Sequence, residues 1–222
     1  MKHFGATIAC IGTGPSLMPA QIASARAKGF TLFGCNNIHQ IVPDLALLFA
    51  TNVQWWDHYW CRDDGPREHP CEKWTNNREA ADKYRLNYID SRDAPGLSSD
   101  PKRLHHGHSS GYCLLNLAHL MGAQRIVLLG YDMKYSADYN GRNHDAGSGP
   151  RHYFGEYPSA LLHWPKVSVT AGVLHGLVDL YRTVAAQGSV EIINCTPGSA
   201  LDCFPMMDVN DVAMGTGRQL AG

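Results

Sequence analysis

The segment HHGHSSGYCLLNLAHLMGAQRIVLLGYDM, residues 105–133, predicts a helix followed by a buried parallel strand. Apolar residues recur at helical spacing from Leu114 to Met121, and Gly122 closes the helix. The run RIVLLG, residues 125–130, is continuously apolar, as a strand covered on both faces requires. Both ends of this unit carry more polar residues than folding needs, since a helix needs one cap and a strand needs only to stop.

The same alternation of apolar runs and helical patterns extends over the rest of the chain. We predict further strands at residues 6–12, 30–35, 45–51, 84–89 and 189–195, and further helices at 17–29 and about 168–187. An irregular insert with some helix is expected at about 53–105, and a lid loop at about 133–165. This order predicts a single α/β domain over residues 1–222, a Rossmann-like three-layer sandwich with a mostly parallel sheet.

The composition argues against several classes of protein. The chain has 222 residues, 44% of them apolar, with a formal net charge of −1. Because it has no basic stripe, neither nucleic acid nor an anionic membrane is expected as a partner. No apolar run approaches the ~18–20 residues of a membrane helix. Seven cysteines without a C-x-x-C pair argue against a disulfide framework or a structural zinc site. We expect a cytoplasmic protein.

Polar residues follow several predicted strands directly, and in a parallel sheet such positions share the carboxyl edge where ligands bind. The glycine turn IGTGPSL, residues 11–17, suits a phosphate or another anion. It lacks the lysine of a P-loop and the third glycine of a dinucleotide fingerprint, so a simple tight turn is the alternative. Asn36, Asn37 and Asn52 follow the next two strands, where asparagine either forms an ordinary turn or binds a base or ribose edge.

Ser109 and Ser110 stand at the start of the predicted helix. One of them is expected to cap the helix, and both offer hydroxyls beside free amides to a phosphate or carboxylate. Asp132, just beyond the strand, is expected to hydrogen-bond neighbouring loop amides, with a direct ligand contact as the alternative.

Three histidines, His105, His106 and His108, precede the serines. Neighbouring histidines on an extended segment point to opposite sides, and no helical H-x-x-x-H pattern supports them, so we expect no metal there.

Two further segments carry unusual residues. HDAGSGPRHYFGEYP, residues 144–158, places titratable groups after a glycine-rich stretch, as in a lid that carries a general base; a surface loop with an aromatic anchor is the alternative. VQWWDHYWC, residues 53–61, holds more tryptophan than the surface of a monomer needs, which favours a homo-oligomer, with burial against the core as the alternative.

The order of these motifs resembles that of the bacterial sialyltransferases of glycosyltransferase family 42. The matching segments are IACIGTGPSL, CNN, FATN, SSGYCLLNLAHLMGAQRIVLLGYDM and HYFGE. The chain is also similar to the related DUF115 group, which includes archaeal pterin pyrophosphokinase-like proteins and phage or prophage proteins, and it looks closest to the phage-type members. The resemblance covers residues 6–52 and 107–157.

The resemblance implies a Rossmann-like fold with a lid, a cytidine monophosphate sugar as donor, and no metal or other cofactor. The residues that we expect to bind the nucleotide are Gly12, Thr13, Gly14, Pro15, Ser16, Asn36, Asn37, Asn52, Ser109, Ser110, Gly111 and Asp132. Tyr135 or Tyr139 stands where tyrosines of the family steady the leaving phosphate.

One departure from the family pattern concerns the general base. The family base is the histidine that closes an H-Y-x-G-H pattern, whereas here the pattern begins at His152 and closes at Glu156. A carboxylate can act as a base when it is desolvated. Glu156 is therefore the candidate base, assisted by His152.

We expect a metal-independent, nucleotide-sugar-dependent glycosyltransferase-like protein. One alternative is a pterin pyrophosphokinase-like enzyme that needs ATP and magnesium, for which Asp132 and Asp145 are the obvious carboxylates. Another is a phage-derived nucleotide-binding or morphogenesis protein without catalysis, which Glu156 in place of the family histidine favours.

Overall fold

Seven parallel strands form the centre of the molecule. The computed structural model describes residues 3–134, 152–155, 157–158, 161 and 171–214, without the side chains of 171–175. The strands are β1 (Thr7–Ile11), β2 (Thr31–Cys35), β3 (Leu47–Phe49), β4 (Glu72–Thr75), β5 (Asn87–Tyr88), β6 (Asp90–Arg92), β7 (Arg103–His105), β8 (Arg125–Leu129) and β9 (Glu191–Asn194). The helices are α1 (Pro19–Ala27), α2 (Val53–Tyr59), α3 (Arg78–Tyr84), α4 (Ser110–Leu120) and α5 (Ala171–Gln187).

The order of the strands creates a switch point in the middle of the sheet. The sheet runs β5-β4-β3-β2-β1-β8-β9, and each of its strand pairs is parallel. The chain moves outward from β1 to β5 and then returns to β8 on the other side of β1. The crevice beyond the carboxyl ends of two such strands is where α/β sheets bind ligands.

Both faces of the sheet are covered, as the apolar strands predicted. In β1, Ile8 and Cys10 belong to the core cluster that contains the buried residues of α4, whereas Ala9 and Ile11 belong to the cluster on the opposite face. All four side chains are fully buried. The α/β class with a parallel sheet between helices is thereby confirmed. Among the residues described, no helix combines the length and apolar character needed to cross a membrane.

The insert at residues 53–105 is more regular than expected. It supplies α2, α3, the sheet strands β4 and β5, and a separate parallel pair, β6–β7. The strand expected at 84–89 forms at Asn87–Tyr88 alone, while Glu72–Thr75 forms a strand that was not expected. Three of the four β4 residues are only half-buried, so the segment lacks the continuous apolar run that marks a central strand.

The aromatic segment at 53–61 packs into the core, as the alternative interpretation had it. Trp55 and Trp56 are 4% and 0% exposed, and Tyr59 is also buried. The Trp56 indole donates a hydrogen bond to the Ala50 carbonyl at 3.1 Å. Trp55 and Trp56 therefore contribute almost no exposed surface, whereas Trp60 is half-buried, and the homo-oligomer stays a prediction.

Candidate functional site at the carboxyl edge of the sheet

A cavity of about 670 Å³ opens beside the carboxyl ends of β3 and β4 and the start of α4. This volume lies within the roughly 300–1,000 Å³ that is usual for sites that bind small molecules. Most of the residues that line it have polar side chains; they are Thr51, Asn52, Asn76, Asn77, His106, His108, Ser109, Ser110, Cys113 and Leu161. Three of the residues predicted to bind the nucleotide are among them: Asn52, Ser109 and Ser110.

Two residues of this lining occupy helix-capping positions without capping a helix through their side chains. Asn52 is the N-cap of α2 and Ser109 is the N-cap of α4, and neither side chain forms a capping hydrogen bond. Asn77, by contrast, caps α3 by accepting a hydrogen bond from the amide of Ala80 at 3.0 Å. The expectation that a serine side chain caps α4 is therefore wrong, since Ser110 donates to the hydroxyl of Thr51 at 3.3 Å instead. The side-chain polar groups of Asn52 and Ser109 therefore cap neither helix.

The start of α4 is suited to an anion. The first hydrogen bond of the helix runs from the Cys113 amide to the Ser109 carbonyl, at 2.9 Å. The preceding amides have no partner within the helix, and the helix dipole adds a partial positive charge at the same place. Ser109 and Ser110, whose hydroxyls belong to the same turn, line the cavity. A phosphate or carboxylate would find several donors here.

The glycine loop, residues 12–16, is held by Asp132. The Asp132 carboxylate accepts hydrogen bonds from the amide and the hydroxyl of Ser16, at 3.2 and 3.0 Å. Burial raises the pKa of the Asp132 carboxyl, and the two bonds from Ser16 oppose that rise. A Cβ added to Gly14 would lie 1.8 Å from Asp132 Oδ2, so this approach needs glycine. Asp132 contacts a loop amide, as expected from its place after the strand.

Tyr131 joins the glycine loop to the start of α4. Its hydroxyl donates a hydrogen bond to the Gly111 carbonyl at 3.0 Å. A Cβ added to Gly12 or to Gly111 would lie 3.2 Å from the Tyr131 ring. Tyr131 is buried after β8, at the switch point of the sheet. The structure thus brings the two predicted halves of the nucleotide site against one side chain, although the glycine loop does not line the cavity described above.

The two asparagines after β2 differ in their surroundings. Asn37 is 2% exposed, and its side chain accepts a hydrogen bond from the Trp55 indole at 2.8 Å and donates one to Gln40 at 3.1 Å. Its amide is thus committed to the fold and is not available to a base or ribose. Asn36 has a left-handed backbone, φ 51°, at the start of a short 3₁₀ turn, Asn36–Gln40.

The described part of the expected lid packs against the glycine loop. A hydrogen bond of 3.0 Å joins His152 Nδ1 to Thr13 Oγ1, and the Tyr153 amide donates to the Thr13 carbonyl at 3.0 Å. The Tyr153 hydroxyl donates to the Asn37 carbonyl at 2.7 Å. The His152 ring stacks on Phe154 with centroids 4.9 Å apart. The remaining catalytic candidates lie outside the described residues: Glu156, Tyr135, Tyr139 and Asp145.

The three histidines before α4 separate into one buried ring and one pair. His105 is buried, and its ring is hydrogen-bonded to backbone carbonyls. His106 and His108 line the cavity with ring centroids 4.6 Å apart, and His108 Nε2 lies 3.2 Å from Asp93 Oδ2. Burial, and secondarily His108, lower the pKa of His106. The side chains of His105 and His106 point to opposite sides of the segment, as expected. The side chains of His106 and His108 both point to the cavity.

Part of the lining was missed by sequence reasoning. Asn76 and Asn77 follow β4, and because that strand was not expected, its carboxyl end was not recognised. Cys113 lies one turn into α4 and was interpreted as a core residue; it is buried, and burial raises its pKa to about 12. The signal that was available is the pair Asn76-Asn77 itself, which repeats the polar strand ends after β2 and β3.

The chain matches no family model and no curated protein. It does match the solved structure of the sialyltransferase CstII from Campylobacter jejuni in complex with a substrate analogue, CMP-3FNeuAc. The two chains are 13% identical, the match covers 92% of this chain and 88% of the other, and the TM-score is 0.52. The chain therefore has a sialyltransferase-like α/β fold. The similarity to the DUF115 group and to phage proteins stays a prediction.

Proposed function

We propose that this chain binds the nucleotide part of a sugar donor at the carboxyl edge of the sheet and transfers the sugar without a metal. The observation that carries the proposal is the cavity of about 670 Å³ with Asn52 and Ser109 in its lining. Both stand at helix starts, and their side chains cap neither helix. Folding leaves these polar groups free for a ligand, which accounts for the surplus of polar residues in the sequence.

Each part of the proposed donor has a chemically suitable counterpart. The phosphate is proposed to lie at the start of α4, where the first amides and the Ser109 and Ser110 hydroxyls donate. The Asn52 amide both donates and accepts, which suits a base or ribose edge. The glycine loop is proposed to approach the donor from the switch point, on the side held by Asp132.

The proposed transfer moves one proton and exchanges one bond at the anomeric carbon of the sugar. An acceptor hydroxyl attacks the anomeric carbon of the sugar, the bond from that carbon to the phosphate oxygen breaks, and the nucleoside monophosphate leaves. Glu156 takes the proton of the acceptor, His152 assists, and Tyr135 or Tyr139 steadies the leaving phosphate. The hydrogen bond between His152 and Thr13 supports a role for His152 at this edge.

The shared fold supports the choice of the sugar donor that should be tested first. The sialyltransferase with the similar structure is in complex with the analogue CMP-3FNeuAc. A cytidine monophosphate sugar is therefore the first donor to test on this chain.

The rival chemistry, pyrophosphoryl transfer, has less support among the described residues. It needs carboxylates that converge on magnesium and phosphates. Of the two candidates, Asp132 accepts hydrogen bonds from Ser16 with both oxygens, and burial raises its pKa. Asp145 lies outside the described residues.

Thermal unfolding in the presence of nucleotides tests the proposal. Cytidine, uridine, adenosine and guanosine nucleotides are added in EDTA, and ATP is added separately with magnesium. Cytidine monophosphate is expected to stabilise the protein in EDTA by about 2.7 kcal/mol when present at 100 times its dissociation constant. Stabilisation by ATP and magnesium alone would favour pyrophosphoryl transfer.

Turnover is then measured with cytidine monophosphate sugars as hydrolysis or transfer. Release of cytidine monophosphate in EDTA supports the proposed reaction. Binding without any turnover would favour the non-catalytic nucleotide-binding protein.

A further inference from the structure

We propose that Asp93, His106 and His108 bind one divalent transition-metal ion beside the cavity that the two histidines line. Each of the three offers one donor atom, and these atoms lie within 4.8 Å of one another. Asp93 Oδ2 and His108 Nε2 are 3.2 Å apart. The edge of a tetrahedron with metal–ligand bonds of about 2.1 Å measures about 3.4 Å, so this pair already has the separation of two ligands. The proposal requires a side-chain rotation to bring the third donor, on His106, to the same distance from the other two.

The backbone at Gly107 and His108 adopts a strained conformation, and this conformation brings the rings of His106 and His108 together. Gly107 and His108 both have left-handed conformations, with φ 46° and 52°. A left-handed residue other than glycine costs about 1–3 kcal/mol, and such strain clusters at functional sites. A Cβ on Gly107 would lie 2.4 Å from the Tyr112 ring, so this turn also requires glycine there. The turn places the His106 and His108 rings on one side.

Stability of the fold does not account for this arrangement. The Asp93 and His108 side chains are each 69% exposed. An ion pair at such an exposed position contributes only about 0–1 kcal/mol. A metal ion, in contrast, would join the loop that carries Asp93 to the turn before α4, and so would fix the position of Ser109 in the cavity.

The donor set indicates the class of ion. Two of the three donors are imidazoles, which suit zinc, cobalt, nickel, copper or iron, whereas magnesium and calcium prefer oxygen ligands throughout. Three protein ligands leave at least one position open for water or for a molecule in the cavity. The metal site is independent of the proposed sugar transfer. It rests on the three side chains and not on the proposed transfer, which needs no metal.

Metal titration of untagged protein tests the site. The protein is stripped with EDTA, dialysed, and titrated with Zn²⁺ by calorimetry and with Co²⁺ by visible absorption. Mg²⁺ and Ca²⁺ serve as comparison ions. We expect one equivalent of Zn²⁺ or Co²⁺ to bind, with no saturable binding of Mg²⁺ or Ca²⁺ at the same concentration. Failure to bind any Zn²⁺ or Co²⁺ would overturn the proposal.

Three variants assign the ion to these residues: Asp93→Asn, His106→Gln and His108→Asn. The last retains a residue that tolerates a left-handed backbone. Each is expected to weaken Zn²⁺ binding at least about 10-fold, since loss of even an outer-shell partner has that effect. Circular dichroism checks that each variant is folded.

Two control variants address other zinc-binding groups. Cys61→Ser removes an exposed thiol, and His119→Ala removes a histidine from the far end of α4. Both are expected to bind Zn²⁺ as the wild type does. Unchanged binding in Asp93→Asn and His108→Asn, or loss of binding in Cys61→Ser, would place the ion elsewhere and reject the site. Nucleotide binding in EDTA is measured separately, so its failure would reject the proposed function alone.

Discussion

The Asp132 carboxylate accepts hydrogen bonds from both the amide and the hydroxyl of Ser16, at 3.2 and 3.0 Å. This contact joins Asp132, three positions beyond the end of β8, to the loop that follows β1. It therefore spans the switch point of the sheet, where the chain reverses its direction of strand addition. Gly14 lies directly beneath the contact, since a Cβ there would meet the carboxylate.

Replacing Gly14 by alanine is expected to destabilise the protein. The added Cβ would lie 1.8 Å from Asp132 Oδ2 and 2.5 Å from the Gly130 carbonyl oxygen, so the loop or the carboxylate must move. Overpacking of this kind costs about 1–3 kcal/mol. The matched control is Gly176→Ala in α5, where nothing lies within 4 Å, and alanine is expected to be neutral or stabilising by up to about 1 kcal/mol. Urea unfolding measures both; equal stabilities of the two variants would contradict the geometry.

Replacing Asp132 by asparagine is expected to change how stability depends on pH. Burial raises the pKa of this carboxyl in the folded protein above its unfolded value. The folded state therefore favours the protonated form of Asp132. The stability that this group contributes is fully present below the unfolded pKa of about 3.9. It is lost as the pH rises through the folded pKa. The free energy of unfolding of the wild type, minus that of Asp132→Asn, should thus fall as the pH rises from about 4 through the folded pKa. A rise over that interval would mean that the Ser16 bonds outweigh burial.

Ser109→Ala is expected to leave the stability of the fold nearly unchanged. An N-cap serine usually contributes about 1 kcal/mol through its side chain. Here the Ser109 side chain forms no capping bond, so we expect a change within about 0.5 kcal/mol, as for an ordinary surface substitution. Asn77→Ala is the comparison, because Asn77 does cap α3, and it is expected to lose about 0.5–2 kcal/mol. If Ser109→Ala loses as much as Asn77→Ala, the Ser109 hydroxyl serves the helix.

Glu156→Gln is expected to lower turnover by about 10²–10⁴-fold, the usual contribution of a general base. Nucleotide affinity should barely change, because the residues proposed to bind the nucleotide lie on other segments. His152→Ala should have a smaller effect on turnover. Glu191→Gln, an exposed carboxylate paired with Arg125, is the control and should retain full activity. Near-full activity in Glu156→Gln, together with none in His152→Ala, would reverse the two roles.

The central strands and α4 were predictable because the pattern of apolar residues in the sequence indicates their burial. β1 and β8 are apolar and buried after their first residue, β9 contributes the buried pair Ile192 and Ile193, and α4 repeats leucine at helical spacing. The strand order was not predictable, since the apolar runs of parallel strands are alike. β4 was missed because it lies next to the edge strand of the sheet and carries Glu72 and Lys73 in a half-buried setting.

The sequence predicted that the site lies at the carboxyl edge of the sheet, but it did not predict which side chains form it. Polar residues after the strands indicated where a ligand would bind, and Asn52 and Ser109 do line a cavity there. Asn37 follows the same pattern but is bonded to Trp55, which lies 18 positions away. His106 and His108 converge because of two left-handed residues, which a pattern of residue types does not reveal.

Binding of cytidine monophosphate, measured by titration calorimetry in EDTA, tests the central claim most directly. The wild type is expected to bind one equivalent. Asn52→Ala and Ser109→Ala are each expected to weaken binding about 10-fold, the equivalent of about 1.4 kcal/mol for a lost hydrogen bond. The control, Asn210→Ala, removes an exposed amide from the Val209–Asp211 turn and should bind as the wild type does. Contradiction would come from a wild type that binds no nucleotide, or from Asn52→Ala and Ser109→Ala binding as tightly as the control.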